Sequence, residues 1–359
     1  MERLYWNNDW KFAETWEEAM KEAVYPENEM EDVRLPHTCK ELPYHYFDEH
    51  AYQMLCGYRR HFMAPEAWQG KSVELTFEGV AHDAVVYVNG TEVKAHHCGY
   101  TAFFVEIAKY LKYGEDNVLA VRVDSRENLN IPPFGYAIDY MTFGGMYREV
   151  YVQVRNKTHL ADVFIKPQIH PLQVTTEITV QNISDGITLQ QEIRKKGEGA
   201  YSPLGKKPVK QTNVQTVFPV QEIRLWEPEN PYLYEIRTSL WKNGEMIDAR
   251  VDITGFREAG FRKDGFYLNG KKLRLRGLNR HQSYPYVGYA APASMQIFDA
   301  DILKKELGVN AVRTSHYPQS QDFIRRCDEI GLLVFTEFPG WQHIGDEEWK
   351  RQAGQNFKG

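Results

Sequence analysis

Three short segments in the last third of the chain carry the side chains best suited to chemistry. In each of them, polar residues stand at or directly after the end of an apolar run. The segments contribute Asn279 and His281, then Arg313, Ser315, His316 and Tyr317, and finally Glu337 and Trp341. Guanidinium, imidazole and amide groups form directional hydrogen bonds, and an indole ring offers a flat apolar face. This combination favours binding of a polyhydroxylated, uncharged ligand.

A repeating strand–helix pattern predicts how these segments come together. Strands are predicted at 272–276, 310–313 and 332–335, with helices at 294–307 and 321–330 between them, each ending at a glycine. This order indicates a parallel sheet with right-handed crossovers, in which residues that follow the strands meet at one edge. It fits both a doubly wound sheet and a (β/α) barrel. No G-x-G-x-x-G sequence follows any of these strands, which argues against a dinucleotide-binding fold.

Two all-β units are predicted ahead of this region. Between about residues 70 and 155, short alternating strands include a hairpin with an Asn89-Gly90 turn, which predicts an antiparallel sandwich of the jelly-roll kind. The stretch from 158 to about 255 is typical of a smaller, immunoglobulin-like sandwich, although the usual Cys-Trp-Cys framework is absent. Within it, the polar stretch 195–210 is predicted to form a loop.

Composition excludes several classes of protein. The 359 residues carry a formal net charge of −6 without a basic stripe, so we expect no nucleic-acid partner. Apolar runs are too short to span a bilayer, and the N-terminus lacks the apolar core of a signal peptide, so we expect neither membrane insertion nor export. The four cysteines form no C-x-x-C pair, which indicates free thiols in a reducing, cytoplasmic compartment.

Several motifs resemble those of a single enzyme family, glycoside hydrolase family 2. A segment similar to the family signature is Asn310-Ala-Val-Arg-Thr-Ser-His-Tyr-Pro318, followed by Cys327-Asp328-Glu-Ile-Gly331 and an apolar strand. The segment Arg276-Gly-Leu-Asn-Arg-His281 resembles the barrel strand that comes before this signature in the family. The segment Gly144-Gly-Met-Tyr-Arg148 resembles the motif that closes the family's N-terminal sugar-binding sandwich. The family's domain order is jelly roll, immunoglobulin-like sandwich, (β/α)8 TIM barrel. The resemblance therefore covers the whole chain and implies an enzyme related to β-galactosidases, β-glucuronidases and β-mannosidases.

The resemblance also implies roles for individual residues. Arg313 matches the arginine that keeps the nucleophilic carboxylate ionised in such barrels. His281 and His316 match histidines that contact hydroxyls of the sugar being cleaved. Asn279 and Trp341 lie beside them in the strand-end segments. These five residues, together with Asp139 from the sandwich, form the predicted substrate-binding and nucleophile-supporting set.

The expected metal content departs from the family pattern. Its β-galactosidases bind Mg2+ through a Glu and a His soon after the third barrel strand. Here Trp341 stands near where the Glu would fall, and of the pair only His343 remains. We therefore expect no metal site and no other cofactor.

The catalytic carboxylates depart from the pattern as well. Retaining glycosidases need two carboxyl groups roughly 5–5.5 Å apart. In the family the acid/base is a Glu preceded by Asn after the fourth barrel strand, and the nucleophile is a Glu near the seventh. No Asn-Glu pair occurs after residue 310, Asn28-Glu29 precedes every barrel strand, and Glu337 resembles a structural acid of the family. We expect both catalytic carboxylates beyond Gly359 and thus no catalytic residue, and no hydrolysis, in this chain.

The sequence as a whole predicts a mainly β, multidomain chain with a jelly-roll sugar-binding domain at 1–156, an immunoglobulin-like sandwich at 157–256 and the first part of a TIM barrel at 257–359. The predicted parent reaction is retaining hydrolysis of terminal, non-reducing β-D-galactosides.

Galactose is favoured because Asp139 matches an aspartate that reaches over the barrel mouth in β-galactosidases. The competing interpretation of Asp139 is a solvated loop carboxylate. Two alternatives stay open: a non-catalytic carbohydrate-binding module, or a family member acting on glucuronides or mannosides. The oligomeric state is left open, with a homo-oligomer as one option.

Overall fold

The structure is a computed structural model that describes residues 3–45, 48, 50–135 and 138–356. The ends of the first and last predicted domains, residues 1–2 and 357–359, lie outside the described residues. Along the chain the strands form two antiparallel sandwiches and then a β/α unit. None of the helices in the described ranges is long and apolar enough to cross a membrane.

The first sandwich packs a four-stranded sheet against a six-stranded sheet around one core of apolar and aromatic side chains. The two sheets have the orders β1-β10-β5-β8 and β3-β2-β4-β9-β6-β7. The Asn89-Gly90 turn joins β6 to β7 with φ values of 50° and 82°, the left-handed geometry that a tight hairpin requires. The strands are β1 (Leu4–Tyr5), β2 (Trp10–Ala13), β3 (Glu31–Val33), β4 (Leu55–Met63), β5 (Ser72–Phe77), β6 (Asp83–Val88), β7 (Thr91–His96), β8 (Phe103–Glu106), β9 (Asp116–Asp124) and β10 (Val150–Arg155).

The second sandwich packs the sheet β11-β12-β15 against β14-β13-β18-β19. The predicted loop at 195–210 is wrong over Ser202–Pro208, which forms β14 and pairs with β13. This strand lies at the sheet edge, where lysine, proline and glycine are tolerated because only one side needs hydrogen bonds. The sandwich strands are β11 (His159–Ile169), β12 (Leu172–Gln181), β13 (Ile187–Lys195), β14 (Ser202–Pro208), β15 (Asn213–Pro219), β18 (Tyr234–Lys242) and β19 (Glu245–Thr254). Between β15 and β18 the chain forms a separate two-stranded sheet of β16 (Trp226–Glu227) and β17 (Asn230–Pro231).

The β/α unit begins with a small antiparallel sheet and continues as three parallel strands. The small sheet contains β20 (Ala259–Arg262), β21 (Gly265–Leu268) and β22 (Lys271–Lys272), and the parallel sheet contains β23 (Gly277–Arg280), β24 (Ala311–Thr314) and β25 (Leu333–Thr336). The first parallel strand is therefore not at 272–276 as predicted. Asn310 explains the shift, because its side-chain amide bonds the backbone of Arg274 and Arg276 at 2.9 and 2.8 Å and replaces a strand partner there.

The helices complete the crossovers. They are α1 (Ala293–Asp301), continued by a π-helical stretch over Ile302–Glu306, α2 (Gln321–Ile330) and α3 (Glu347–Asn356), with short 3-10 turns at Glu18–Lys21, Glu66–Trp68 and Ala108–Tyr110. The Ser320 hydroxyl caps the start of α2, and Gly331 ends it with a φ of 77°. α1 and α2 pack on the sheet through a cluster that includes Val312 and Phe323. They leave the carboxyl ends of the strands free to carry polar loops.

Candidate functional site

The parallel register places the two predicted histidines next to each other. β23 pairs with β24 so that Asn279 lies opposite Arg313 and Arg280 opposite Thr314. The chain then leaves both strands at the same edge, and the ring centroids of His281 and His316 are 5.5 Å apart. This confirms the predicted arrangement, in which both histidines lie at one strand end because the two strands are adjacent and parallel.

Asn279 lies within β23 and not after it, contrary to the predicted strand boundaries. It is exposed, and its register partner Arg313 is exposed too. Register partners on parallel strands share a face of the sheet, so these two residues face away from the helices. Arg280, on the opposite face, is buried and forms an ion pair with Asp299 of α1 at 2.6 Å.

Glu337 joins Arg313 to His316. One carboxylate oxygen accepts from the Arg313 guanidinium at 2.5 Å, and the other lies 2.9 Å from His316 Nδ1. Burial opposes ionisation of Glu337, but the hydrogen bonds from Arg313 and His316 outweigh it, so the pKa of Glu337 is lowered. Among the described residues, Arg313 contacts Glu337 and also lies 3.3 Å from His316 Nδ1, and its support of a nucleophilic carboxylate stays a prediction. Both carboxylate oxygens of Glu337 are engaged in orienting their neighbours.

His281 has a different environment from His316. Its Nδ1 lies 3.2 Å from the Tyr317 hydroxyl, and its side chain is partly exposed. Burial lowers the pKa of His281, and the nearby His316 and Arg313 act in the same direction, while Asp139 acts against them. His281 is therefore neutral at pH 7, and a neutral imidazole both donates and accepts hydrogen bonds. That property suits a sugar hydroxyl, which does the same.

Aromatic rings surround the two histidines. The Trp341 ring lies 4.2 Å from His316 between centroids. The Tyr140 ring, which comes from the first sandwich, lies 5.2 Å from His281, 5.5 Å from His316 and 6.0 Å from Trp341. Tyr140 was not predicted as a site residue, although it follows Asp139 directly. The signal available in the sequence was its position directly after Asp139.

Asp139 reaches the same region. It is exposed, and its charge acts on both His281 and Tyr140. The sandwich loop therefore extends to the barrel edge, as the prediction for Asp139 requires. Its contact with a sugar stays a prediction.

The loop that carries Asp139 and Tyr140 is fastened at its base. Thr142 donates its backbone N–H to the Tyr52 hydroxyl at 3.0 Å, and its carbonyl oxygen lies 3.2 Å from Nε2 of the buried His82. The Tyr289 hydroxyl of the barrel unit donates to the Met141 carbonyl at 2.6 Å. Hydrogen bonds from both units therefore fix the loop just beyond Tyr140.

The residues present do not match a Mg2+ site of the family type. Among the residues that the structure describes, no group of three or more His, Cys, Asp or Glu side chains is placed to hold a metal ion. Trp341 packs on His316, and His343 packs so closely on Gly135 that a Cβ at that glycine would lie 2.3 Å from the imidazole. The absence of a metal and of other cofactors stays a prediction.

Family models match the chain in three consecutive parts. A glycosyl hydrolases family 2 sugar-binding domain matches residues 29–155, a family 2 model matches 158–257, and a family 2 TIM barrel domain matches 260–357. These matches confirm the predicted succession of a sugar-binding jelly roll, an immunoglobulin-like sandwich and part of a TIM barrel.

Individual relatives carry two different sugar specificities in their names. A β-galactosidase from Thermoanaerobacter pseudethanolicus is 46% identical over 363 residues, covering 99% of this chain and 49% of the relative. A putative β-glucuronidase from Formosa agariphila is 30% identical over 326 residues, covering 89% of this chain and 39% of the relative. The chain spans at most about half the length of these curated relatives.

A solved structure supports the same fold. β-Glucuronidase 2 from Bacteroides uniformis, covalently bound to cyclophellitol-6-carboxylate aziridine, has a TM-score of 0.91 with this chain at 28% sequence identity. The match covers 99% of this chain and 45% of that one. The described residues therefore reproduce slightly less than half of a larger glycosidase structure.

Proposed function

The chain belongs to glycosyl hydrolases family 2, and from this premise we propose that it supplies the sugar-recognition half of a retaining β-glycosidase acting on terminal β-D-galactosides. The observation that carries the proposal is the pairing of His281 with His316, whose rings lie 5.5 Å apart in a region where the charge of Asp139 acts on His281. Trp341 and Tyr140 add aromatic faces around them. Together they offer hydrogen-bonding groups beside apolar faces, which suits a sugar ring.

The charge near the site favours a neutral sugar. Asp139 acts electrostatically on His281, and the Arg313 guanidinium is already paired with Glu337. A carboxylate of Asp139 accepts hydrogen bonds from two sugar hydroxyls, and each such charge-assisted bond contributes roughly 1.5–3 kcal/mol. A glucuronate would bring a second negative charge toward Asp139. The charge of Asp139 therefore favours galactose, consistent with the name of the relative at 46% identity.

β-Glucuronidase is the second candidate. It is favoured by the Formosa agariphila relative and by the TM-score of 0.91 with the Bacteroides uniformis enzyme. In that case cationic groups for the sugar carboxylate would have to come from residues other than the paired Arg313.

Hydrolysis is proposed for the larger protein and not for this chain by itself. Retaining cleavage needs an acid/base and a nucleophile roughly 5–5.5 Å apart. Glu337, the carboxylate beside His316, has both oxygens engaged by Arg313 and His316. Such enzymes lower the barrier by a large share of the 8–23 kcal/mol typical of catalysis, and most of that effect depends on the carboxylate pair. We therefore expect the 359-residue chain to bind sugar without turning over a chromogenic β-galactoside.

We also propose the cellular compartment of the protein. The four cysteines are buried free thiols, which supports a reducing, cytoplasmic compartment.

The galactoside assignment is tested by measuring sugar binding to the Asp139→Asn variant. Methyl β-D-galactoside and methyl β-D-glucuronide are titrated into the chain and followed by saturation-transfer NMR. We expect Asp139→Asn to weaken galactoside binding about tenfold, the equivalent of one charge-assisted hydrogen bond, and to improve binding of the glucuronide relative to the galactoside. Asp32→Asn is the matched control, since that carboxylate is 82% exposed on strand β3.

Two outcomes count against the proposal. Unchanged affinity in Asp139→Asn returns this residue to the role of a solvated loop carboxylate. Preference of the unmodified chain for the glucuronide replaces galactosidase by glucuronidase.

A further inference from the structure

We propose that Arg148, the last residue of the Gly144–Arg148 motif, is a positioning residue for the sugar site. Its guanidinium holds the two barrel loops that carry His281 and His316 against the first sandwich. The inference rests on the proposed function in one respect only, which is the identity of the ligand that the two histidines bind. The positioning itself follows from the contacts of Arg148.

Arg148 bridges the two units with four hydrogen bonds. It lies just before β10 and is 7% exposed. Its Nη1 donates to the carbonyl oxygens of Glu78 and Tyr100 in the sandwich, at 3.2 and 3.4 Å. Its Nη2 donates to Gln282 Oε1 and to the Pro318 carbonyl in the barrel loops, both at 2.9 Å. Among the described residues, Nη1 therefore bonds only to the sandwich, and Nη2 bonds only to the barrel loops.

The two barrel acceptors lie beside the histidines in the chain. Gln282 directly follows His281, and Pro318 comes two residues after His316. Between His316 and Pro318, the Tyr317 ring stacks on Tyr100 of the sandwich at 4.2 Å between centroids, with an interplanar angle of 8°. The Tyr317 hydroxyl lies 3.2 Å from His281 Nδ1. A shift of either loop relative to the sandwich would therefore move both imidazoles.

The chemistry of the guanidinium explains why an arginine stands here. Its donors form a planar fork that reaches acceptors on both sides, whereas a lysine ammonium is a single point with three donors. In the described part of the chain its hydrogen-bond acceptors are carbonyl oxygens and one side-chain amide, not carboxylates. The charge of Arg148 also acts on the carboxyl groups of Glu78 and Glu149, while its four hydrogen bonds to neutral acceptors fix the position of the guanidinium.

The ring signals of His281 and His316 in NMR spectra of the 359-residue chain provide the test. Arg148→Lys keeps the charge but loses the fork, and we expect it to shift both sets of ring signals. Arg155→Lys is the matched control. Arg155 is 6% exposed, donates to the Leu160 carbonyl at 3.1 Å and pairs with Glu74, away from the barrel loops. We expect this control to leave the ring signals in place.

A second variant keeps the test decisive if Arg148→Lys unfolds. Gln282→Leu removes one acceptor of Arg148 and leaves the cation, and we expect it to shift the same ring signals. In both variants methyl β-D-galactoside binding should weaken about tenfold, while Arg155→Lys should change it less than twofold. If the unmodified chain binds no sugar, the proposed function fails, but the ring signals still decide the role of Arg148. Unshifted signals in both variants, or an equal shift in Arg155→Lys, overturn the inference.

Discussion

The β/α unit meets the two sandwiches through two junctions of different character. The first junction joins the first sandwich to the loops after β23 and β24. It consists of stacked rings, such as Tyr100 on Tyr317, and of hydrogen bonds to neutral groups, such as those of Arg148 and that from Tyr289 to the Met141 carbonyl.

The second junction joins the second sandwich to α2 and to the starts of β24 and β25. Trp226 is 1% exposed, packs in one cluster with Ala311 and Leu333, and donates its indole N–H to the Asp328 carbonyl at 2.7 Å. Around it lie charge pairs between the units, which are Lys196 with Glu329 at 2.5 Å and Arg257 with Asp328 at 3.6 Å.

The difference between the junctions follows their place on the parallel sheet. The first lies at the carboxyl ends of the strands, where the candidate site lies, and its neutral, directional contacts fix the orientation of imidazole rings. The second lies at the opposite end, where an apolar anchor and peripheral charges attach the units to each other. We therefore expect changes at the second junction to alter stability and changes at the first to alter the site.

The largest expected effect comes from Trp226→Ala at the second junction. Removing a fully buried tryptophan leaves a cavity and typically costs about 3–5 kcal/mol of the free energy of unfolding. Urea unfolding at pH 7 measures this loss. In the folded fraction we expect the ring signals of His281 and His316 to stay in place, because Trp226 lies at the far end of the strands.

Trp226→Phe separates packing from hydrogen bonding at the same position. It retains most of the apolar contact but leaves the Asp328 carbonyl without the indole donor, at a cost of about 1 kcal/mol for the hydrogen bond. Displaced histidine signals in either folded variant would contradict the separation of the two junctions.

The parallel sheet was predictable because its signals are local. Apolar runs, helical spacing and terminal glycines locate β24, β25 and α2 to within one residue, and the parallel pairing of β23 with β24 then brings His281 to His316. The error at 272–276 has a local cause too. Leu273 and Leu275 alternate as in a strand, but they pack against the Trp226 cluster while Asn310 bonds the backbone around them.

The first junction was not predictable from such signals. Arg148 is separated from Gln282 by 134 residues and from Pro318 by 170, and no periodicity in the sequence encodes such a pair. Tyr140 likewise gains its role from rings of the barrel unit. The family resemblance points to the Gly144–Arg148 motif and to Asp139, which directly precedes Tyr140, but only the fold shows which side chains cross the boundary.

Glu337→Gln tests the charged contacts within the β/α unit that lie beside the first junction, between Glu337 and its partners Arg313 and His316. The folded-state pKa of Glu337 is lowered, so its charge stabilises the fold above the unfolded-state value of about 4.3, and this stabilisation is lost as the pH falls through the folded-state value. At pH 7 we expect the variant to lose about 1 kcal/mol, since the carboxylate is 30% exposed. Urea unfolding as a function of pH should show this loss shrinking below about pH 4.3.

The control for Glu337→Gln is Glu347→Gln, since that side chain is 90% exposed in its pair with Lys350. We expect it to leave the unfolding free energy nearly unchanged at every pH. The contrary outcome is a loss of unfolding free energy in Glu337→Gln that is as large below the folded-state pKa as at pH 7. It would mean that the contacts of Glu337 with Arg313 and His316 do not depend on its charge.

The smallest expected effect comes from Lys196→Gln, which removes one charge pair of the second junction. Lys196 is 32% exposed, and its partner Glu329 keeps a second cation, Arg326, at 3.1 Å. We expect a loss of about 0.5 kcal/mol in low salt, because surface pairs are weak and a partner remains, and a smaller loss in 1 M NaCl, where the screening length falls to about 3 Å. Urea unfolding at the two salt concentrations measures both values. If this loss approached that of Trp226→Ala, the charges and not the buried indole would hold the second junction together.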